Sequence, residues 1–293
     1  MRRGLILGVL AAVVAVVYFR PLAVYVTGRA LYLRAIGMRH EHVQVGPHRI
    51  HYLEGGEGPP LLIVHGVAAR AADGAPLFRR LKQRHRVIAV DLLGYGDSDK
   101  PRDGDYSVAA QTELVRRFMD ALQLRDADVM GVSLGGWISL KLAADHPERV
   151  RRLVLVSSAG LQFPTTMTDS AFSPSNLGEL RHSLAMQTDQ AERLPEFVLR
   201  DFLRLSKRKA WVVRRSMASA LAGRDLLDGK LQRVKMPVLL IWGTADRVIP
   251  FSVAAGMKHE MRHAQVVPLP GCGHLAIIEC RDQALPAIER FLR

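Results

Sequence analysis

Ser133 stands in the run Gly131-Val132-Ser133-Leu134-Gly135, after the apolar stretch Asp128-Val129-Met130 and before a helix-forming stretch from Trp137 to Ala144. A strand, a sharp turn and a helix in that order present a glycine-flanked serine over a sheet edge, beside a helix N-terminus. The turn demands the glycines, because side chains at the flanking positions would strike neighbouring backbone. A serine hydroxyl is a poor nucleophile until a base takes its proton, so the eleven histidines are the next candidates. His274 follows the last apolar run in Gly271-Cys272-Gly273-His274, where glycines let an imidazole hang over a site. Asp246, in the loop Thr244-Ala245-Asp246 just past the run 238–243, is the acid that would orient it. The bland alternatives, a turn-capping aspartate and a surface histidine, do not explain why three strand ends agree. Nucleophile, acid and base in this chain order describe acyl transfer through an acyl-serine, which calls for neither a cofactor nor a metal.

Three side chains at strand ends require a sheet to hold them. Residues 61–66, 87–94, 128–133, 153–160, 238–243 and 265–271 are apolar on both faces, as buried strands of a mostly parallel sheet are. Residues 42–45 and 50–53 around Gly46-Pro47 read as a hairpin, and helical stretches such as 108–122 and 135–145 lie between the strands. The expected fold is α/β, doubly wound. Residues 161–235 separate two consecutive core strands by far more than a crossover needs, and read as an inserted helical lid. Within it, Leu194, Phe197, Val198, Phe202 and Leu205 recur at helical spacing among Arg200, Arg204, Lys207, Arg208 and Lys209. Such a basic amphipathic helix packs over a site with its charged face in solvent. The expected organisation is a membrane anchor and juxtamembrane segment over 1–39, core over 40–160, lid over 161–235 and core again over 236–293.

The anchor rests on the unbroken apolar run from Gly4 to Phe19 behind Arg2 and Arg3. Its helix would rise about 24 Å against a roughly 30 Å hydrocarbon core, so spanning requires the helix to continue through Pro21 toward Val26 while Arg20 snorkels. No small-x-small cleavage site follows the run directly, which favours a retained single-pass anchor over a cleaved signal peptide. Tyr25 and Tyr32 would then lie in the aromatic belt. Two arginines before the run and four within twenty residues after it leave the membrane face open.

These residues resemble a serine hydrolase of the α/β-hydrolase family from about residue 42 to 293. Besides the triad, His65-Gly66-Val67 and the stretch from Asp91 to Ser98 are similar to family signatures. The resemblance implies an α/β-hydrolase fold and an oxyanion hole formed by the backbone N–H groups of Val67 and Leu134. Ala68-Ala69 stand where relatives often carry glycines. Residues 34–38 and 158–162, taken with the apolar run, look like membrane-anchored monoacylglycerol lipases and related bacterial lipases. That likeness implies a lipid ester or other small ester as substrate and a membrane as partner. The same triad also serves carbon–carbon bond hydrolases, haloperoxidases and proline iminopeptidases. The reading from another class is a non-catalytic, membrane-tethered binding module.

Other signals point to less. His259-Glu260-Met261-Arg262-His263 fits HExxH, but it closes against the next strand without an evident third zinc ligand. His40, His42, His48 and His51 crowd the hairpin, where a solvated rim is the expectation. Gly94-Tyr95-Gly96 lacks the third glycine of a dinucleotide loop. A net charge of +13 suits an anionic membrane surface or solubility; nucleic acid is disfavoured because no binding motif accompanies it. Cys272 and Cys280, the only cysteines, are too few to make a disulfide framework and reveal no compartment.

Overall fold

The computed structural model describes residues 18–165, 171–190 and 193–293. Eight strands form one sheet: β1 (Arg39–Val45), β2 (His48–Gly55), β3 (Pro60–Val64), β4 (Arg86–Val90), β5 (Ala127–Val132), β6 (Val150–Val156), β7 (Val238–Gly243) and β8 (Gln265–Leu269). Their order is β1-β2-β4-β3-β5-β6-β7-β8, antiparallel for the β1–β2 and β2–β4 pairs and parallel elsewhere. The apolar runs are continuous because both faces are covered. Leu62, Val64, Ile88 and Val90 pack on one side, against α3 (Val108–Ala121) and α4 (Leu134–Asp145). Leu61, Ile63, Val87 and Ala89 pack on the other, against α2 (Ala75–Leu81) and α9 (Arg281–Phe291). Pro268 lies in β8, an edge strand, where a missing ladder donor is tolerated.

Between β6 and β7 the chain inserts α5 (Leu177–Gln187) and α6 (Glu196–Leu221). The remaining helices are α1 (Pro21–Ala35), α7 (Phe251–Glu260) and α8 (Ala276–Glu279). Asn176 begins α5 by accepting the Glu179 N–H, and Ser107 begins α3 by accepting the Ala110 N–H.

The N-terminal expectation needs correction. Residues 4–17 of the apolar run lie outside the described residues, and no helix among the described residues is long and apolar enough to cross a membrane. The helix does not continue through Pro21. Arg20 turns out of helical geometry (φ −138°, ψ 47°) and α1 begins afresh with proline at its first position. Proline disfavours helical geometry in the residue before it and suits a first turn that has no N–H to spend. The N-terminus of α1 docks onto α6, where the Leu22 N–H donates to the buried Asp201 carboxylate at 3.0 Å. Asp201 also holds Arg204, one turn along α6, at 2.5 Å. Tyr18 stacks on Phe197, and Arg29 pairs with Asp73. Tyr25 and Tyr32 thus ride on a helix that belongs to the folded domain, and both remain exposed.

Asp201 is therefore expected to couple α1 to the inserted helices. Asp201→Ala leaves a helix N-terminus and a guanidinium without their acceptor, at a cost of about 1–3 kcal/mol. Thermal melting should register the loss, and limited proteolysis should cut faster around residues 18–35; an unchanged cleavage pattern contradicts the coupling.

Candidate active site

At Ser133 the chain leaves β5 and enters α4 with φ 55° and ψ −118°, a left-handed conformation rare outside glycine. Glycines make room for so tight a reversal. A Cβ on Gly131 would run into the Gly135 carbonyl and the Ser139 hydroxyl, and one on Gly135 into the carbonyls of Val64 and His65. Ser133 occupies the N-cap position of α4 but makes no side-chain cap, because its hydroxyl turns to His274. His274 Nε2 lies 3.1 Å from Ser133 Oγ, and His274 Nδ1 lies 2.9 Å from Asp246 Oδ2. The other Asp246 oxygen accepts the N–H groups of Val248 and Ile249, both at 2.9 Å. All three side chains are buried. The structure thus brings together the residues that the sequence placed at three separate strand ends.

Val67 and Leu134 line the same cleft as Ser133. Leu134 is the first residue of α4, and among the described residues neither amide donates to a protein acceptor. The loop carrying Val67 is braced from beneath. The His65 ring spans it, with Nδ1 donating to the Gly66 carbonyl at 2.7 Å and Nε2 accepting the Leu92 N–H at 3.1 Å. That pattern needs a neutral imidazole, and burial pushes His65 below its usual pKa. Ala68, where the family often has glycine, takes φ 59°.

Several contacts had no sequence signal. Cys272 and Cys280 form a disulfide that closes the loop around His274, and Glu279 accepts the Gly273 N–H at 3.1 Å within it. The end of α5 leans on both triad loops: Leu275 N–H donates to the Gln187 carbonyl at 3.3 Å, and Arg247 donates to the Ala185 carbonyl at 2.8 Å and pairs with Asp189. Two of these acceptors, Gln187 and Ala185, act through backbone carbonyls, which leave no mark in a sequence.

Two clefts meet at Ser133 and share Val67 and Phe172. The one beneath the inserted helices is lined by Trp137, Leu161, Phe163, Met217, Leu221, Val248 and Ile249, with Gln162 and Thr165 as its longer polar side chains and, among the described residues, no charged group. The other runs beside β3 past His274, Ile277 and Ile278, and includes Arg70 and Asp73.

The other candidates fall elsewhere. HEMRH does not form one helical face, because α7 ends at Glu260 and Met261 leaves helical geometry. Glu260 accepts the N–H groups of Gly229 and Leu231, while His263 bonds the Met236 carbonyl. The hairpin histidines are not merely a solvated rim: His51 is 3% exposed, because β2 is an interior strand flanked by β1 and β4.

Burial of His65 sets a pH dependence. Its unfolded pKa is near 6.5 and its folded pKa lies lower, so above about pH 6.5 the ring is neutral in both states and nothing changes. As pH falls below that, the unfolded chain takes the proton first and stability drops, by up to about 1.36 kcal/mol per pH unit for each such histidine. Burial lowers His40 and His42 in the same direction, but both rings are exposed and solvent screening leaves them only a small share of the slope. Denaturant titrations between pH 7.5 and 5 should show this decline, and His65→Gln should flatten it by one histidine's share. An unaltered slope in the variant contradicts the assignment.

Comparison with known proteins accords with this geometry. The family model described as the alpha/beta hydrolase fold matches residues 59–279. A 2-hydroxymuconate semialdehyde hydrolase of Pseudomonas putida is 34% identical over 249 residues, 81% of this chain and 88% of the relative. A monoacylglycerol lipase of Xenopus laevis is 25% identical over 287 residues, covering 88% of this chain and 83% of its own. The crystal structure of a membrane phospholipase A, a bacterial virulence factor, superposes with a TM-score of 0.85 at 29% identity, covering 100% of this chain and 98% of that one. The chain belongs to the α/β-hydrolase family.

Proposed function

We propose that the protein is a serine hydrolase that cleaves carboxylic esters of lipids through an acyl-serine intermediate. The observation that carries this reading is the unbroken relay from Ser133 Oγ through His274 to Asp246, opening onto a cleft whose described lining is apolar. His274 Nε2 takes the Ser133 proton as Oγ attacks the ester carbonyl, and Asp246 holds the imidazolium. The oxygen that becomes negative is received by the Val67 and Leu134 amides, each of which is worth about 10²–10³ in rate. His274 then protonates the leaving alcohol and activates the water that frees the acyl group.

The apolar cleft suits an acyl chain. A muconate-type substrate, such as the Pseudomonas relative is named for, carries a carboxylate that this cleft, among the described residues, offers no cation to meet. Carbon–carbon bond hydrolysis is nevertheless the second reading, favoured by the 34% identity of that relative and by Arg70 in the neighbouring cleft.

Delivery to the membrane belongs to the same proposal. The run Gly4–Phe19 supplies an apolar anchor, and Phe19, Val24, Tyr25, Leu31 and Phe202 form exposed apolar surface on α1, its approach and α6. The Cys272–Cys280 disulfide favours the oxidising side of that membrane.

Ser133→Ala and His274→Ala are each expected to lower kcat by about 10⁴–10⁶, and the double variant by no more than either single, because the two act as one unit. Single variants retaining about a tenth of wild-type activity, or effects that multiply, contradict the assignment. The substrate is tested with monoacylglycerol and p-nitrophenyl esters of increasing chain length against a 2-hydroxy-6-oxo-dienoate. Ester turnover, with Ala220→Phe in the apolar cleft shifting preference to shorter acyl chains, supports a lipid esterase. Turnover of the dienoate alone replaces it with the second reading.

A further inference from the structure

We propose that His40, His51 and Asp97 form a binding site for one divalent transition-metal ion, of which zinc is the best fit, outside the active site. His42 and His51 are directly opposed across the antiparallel β1–β2 pair, and His40 lies two residues along β1 on the same face. His40 Nδ1 is 3.0 Å from His51 Nε2. Two nitrogens each about 2.0–2.1 Å from one tetrahedral zinc stand about 3.3 Å apart, so these rings need little adjustment to share an ion. The Asp97 carboxylate is the third donor, and the three ligand atoms lie within 4.8 Å of one another. Asp97 and His40 are exposed, which gives an ion a way in.

Asp91 supplies the orientation that metal-bound imidazoles require. Its buried carboxylate lies 2.7 Å from His51 Nδ1 and accepts the Asp97 N–H at 2.9 Å. With Nδ1 directed at the Asp91 carboxylate, the His51 ring turns Nε2 toward His40. A carboxylate behind a histidine is the outer support that fixes tautomer and ring direction at metal sites.

The donor set decides the class of ion. Two imidazoles and one carboxylate suit zinc, nickel or copper and not the hard oxygen-seeking calcium or magnesium. Arg34 acts electrostatically on His40, and Lys209 and Asp97 on each other, so an ion held by charge alone would be poorly retained. Three ligands leave a position for water or for His42, whose ring centroid is 5.0 Å from that of His51. The bound ion would clamp the β1–β2 hairpin to the loop after β4 and stabilise the folded state without entering the reaction.

The test uses full-length protein, free of any histidine tag and stripped with EDTA, titrated calorimetrically with zinc. One equivalent should bind, raise the melting temperature and leave kcat unchanged, and cobalt should give a tetrahedral visible spectrum. His40→Ala and the exposed Asp97→Ala should each weaken zinc at least about tenfold, since even supporting residues cost 10–100-fold. His48→Ala and His263→Ala should bind as wild type does. Should His40→Ala fail to fold, Asp97→Ala carries the comparison alone. No zinc binding by wild type, equal binding by all variants, or loss only in His263→Ala overturns the proposal; in the first case the 3.0 Å contact is a plain imidazole–imidazole hydrogen bond.

Discussion

At Ser133 the backbone passes from strand to helix through a left-handed residue, a conformation that costs on the order of 1–3 kcal/mol and persists only where its surroundings enforce it. The enforcement comes from close packing. Without a Cβ at Gly135 the first turn of α4 lies against the carbonyls of Val64 and His65, at the end of β3. That approach is also what places the loop after His65, and the Val67 amide in it, beside the serine. The position of Ser133 and the position of the loop that carries Val67 are thus one constraint. Relaxing the turn would lift the hydroxyl from His274 and separate the two amides together.

The Val67 N–H in this loop donates to no protein acceptor among the described residues. The loop is held by polar groups beneath. His65 ties it to Leu92, and Asp91, the first residue after β4, accepts the Ala71 N–H at 2.7 Å at the far end of the loop. Both braces depend on a fixed protonation state, a neutral His65 and an ionised Asp91. Burial enforces the first directly; four hydrogen-bonding and charged neighbours enforce the second against burial.

What the sequence could convey follows from how each feature is encoded. The triad is carried by side chains at the ends of apolar runs, so Ser133, Asp246 and His274 could be read along with the strands that hold them. In the proposed oxyanion hole Val67 and Leu134 act through backbone amides that any residue offers, and only resemblance to a family pointed to them. His51 was misjudged because a hairpin reads as peripheral, whereas pairing of β2 with β4 puts residues 50–55 in the interior. The break at Arg20 is local chemistry, visible in the proline that follows, but hydropathy counted across it. The disulfide joins cysteines eight positions apart through a turn and a short helix, a separation that states no geometry by itself.

The inserted helices do more than roof the apolar cleft. The last turn of α5 and the two residues beyond it bond to Arg247 and Leu275, each the residue next in chain to a triad member. Lifting α5 to admit a bulky substrate therefore has to break or carry those contacts, and the strain falls on the loops that set Asp246 against His274. The disulfide and the Glu279–Gly273 bond stiffen the His274 loop on its other side, and the two amides on Asp246 Oδ1 do the same for the aspartate. The α1 contact at Asp201 extends the cover to the segment that follows the apolar run, so forces on the N-terminus reach the cleft through α6.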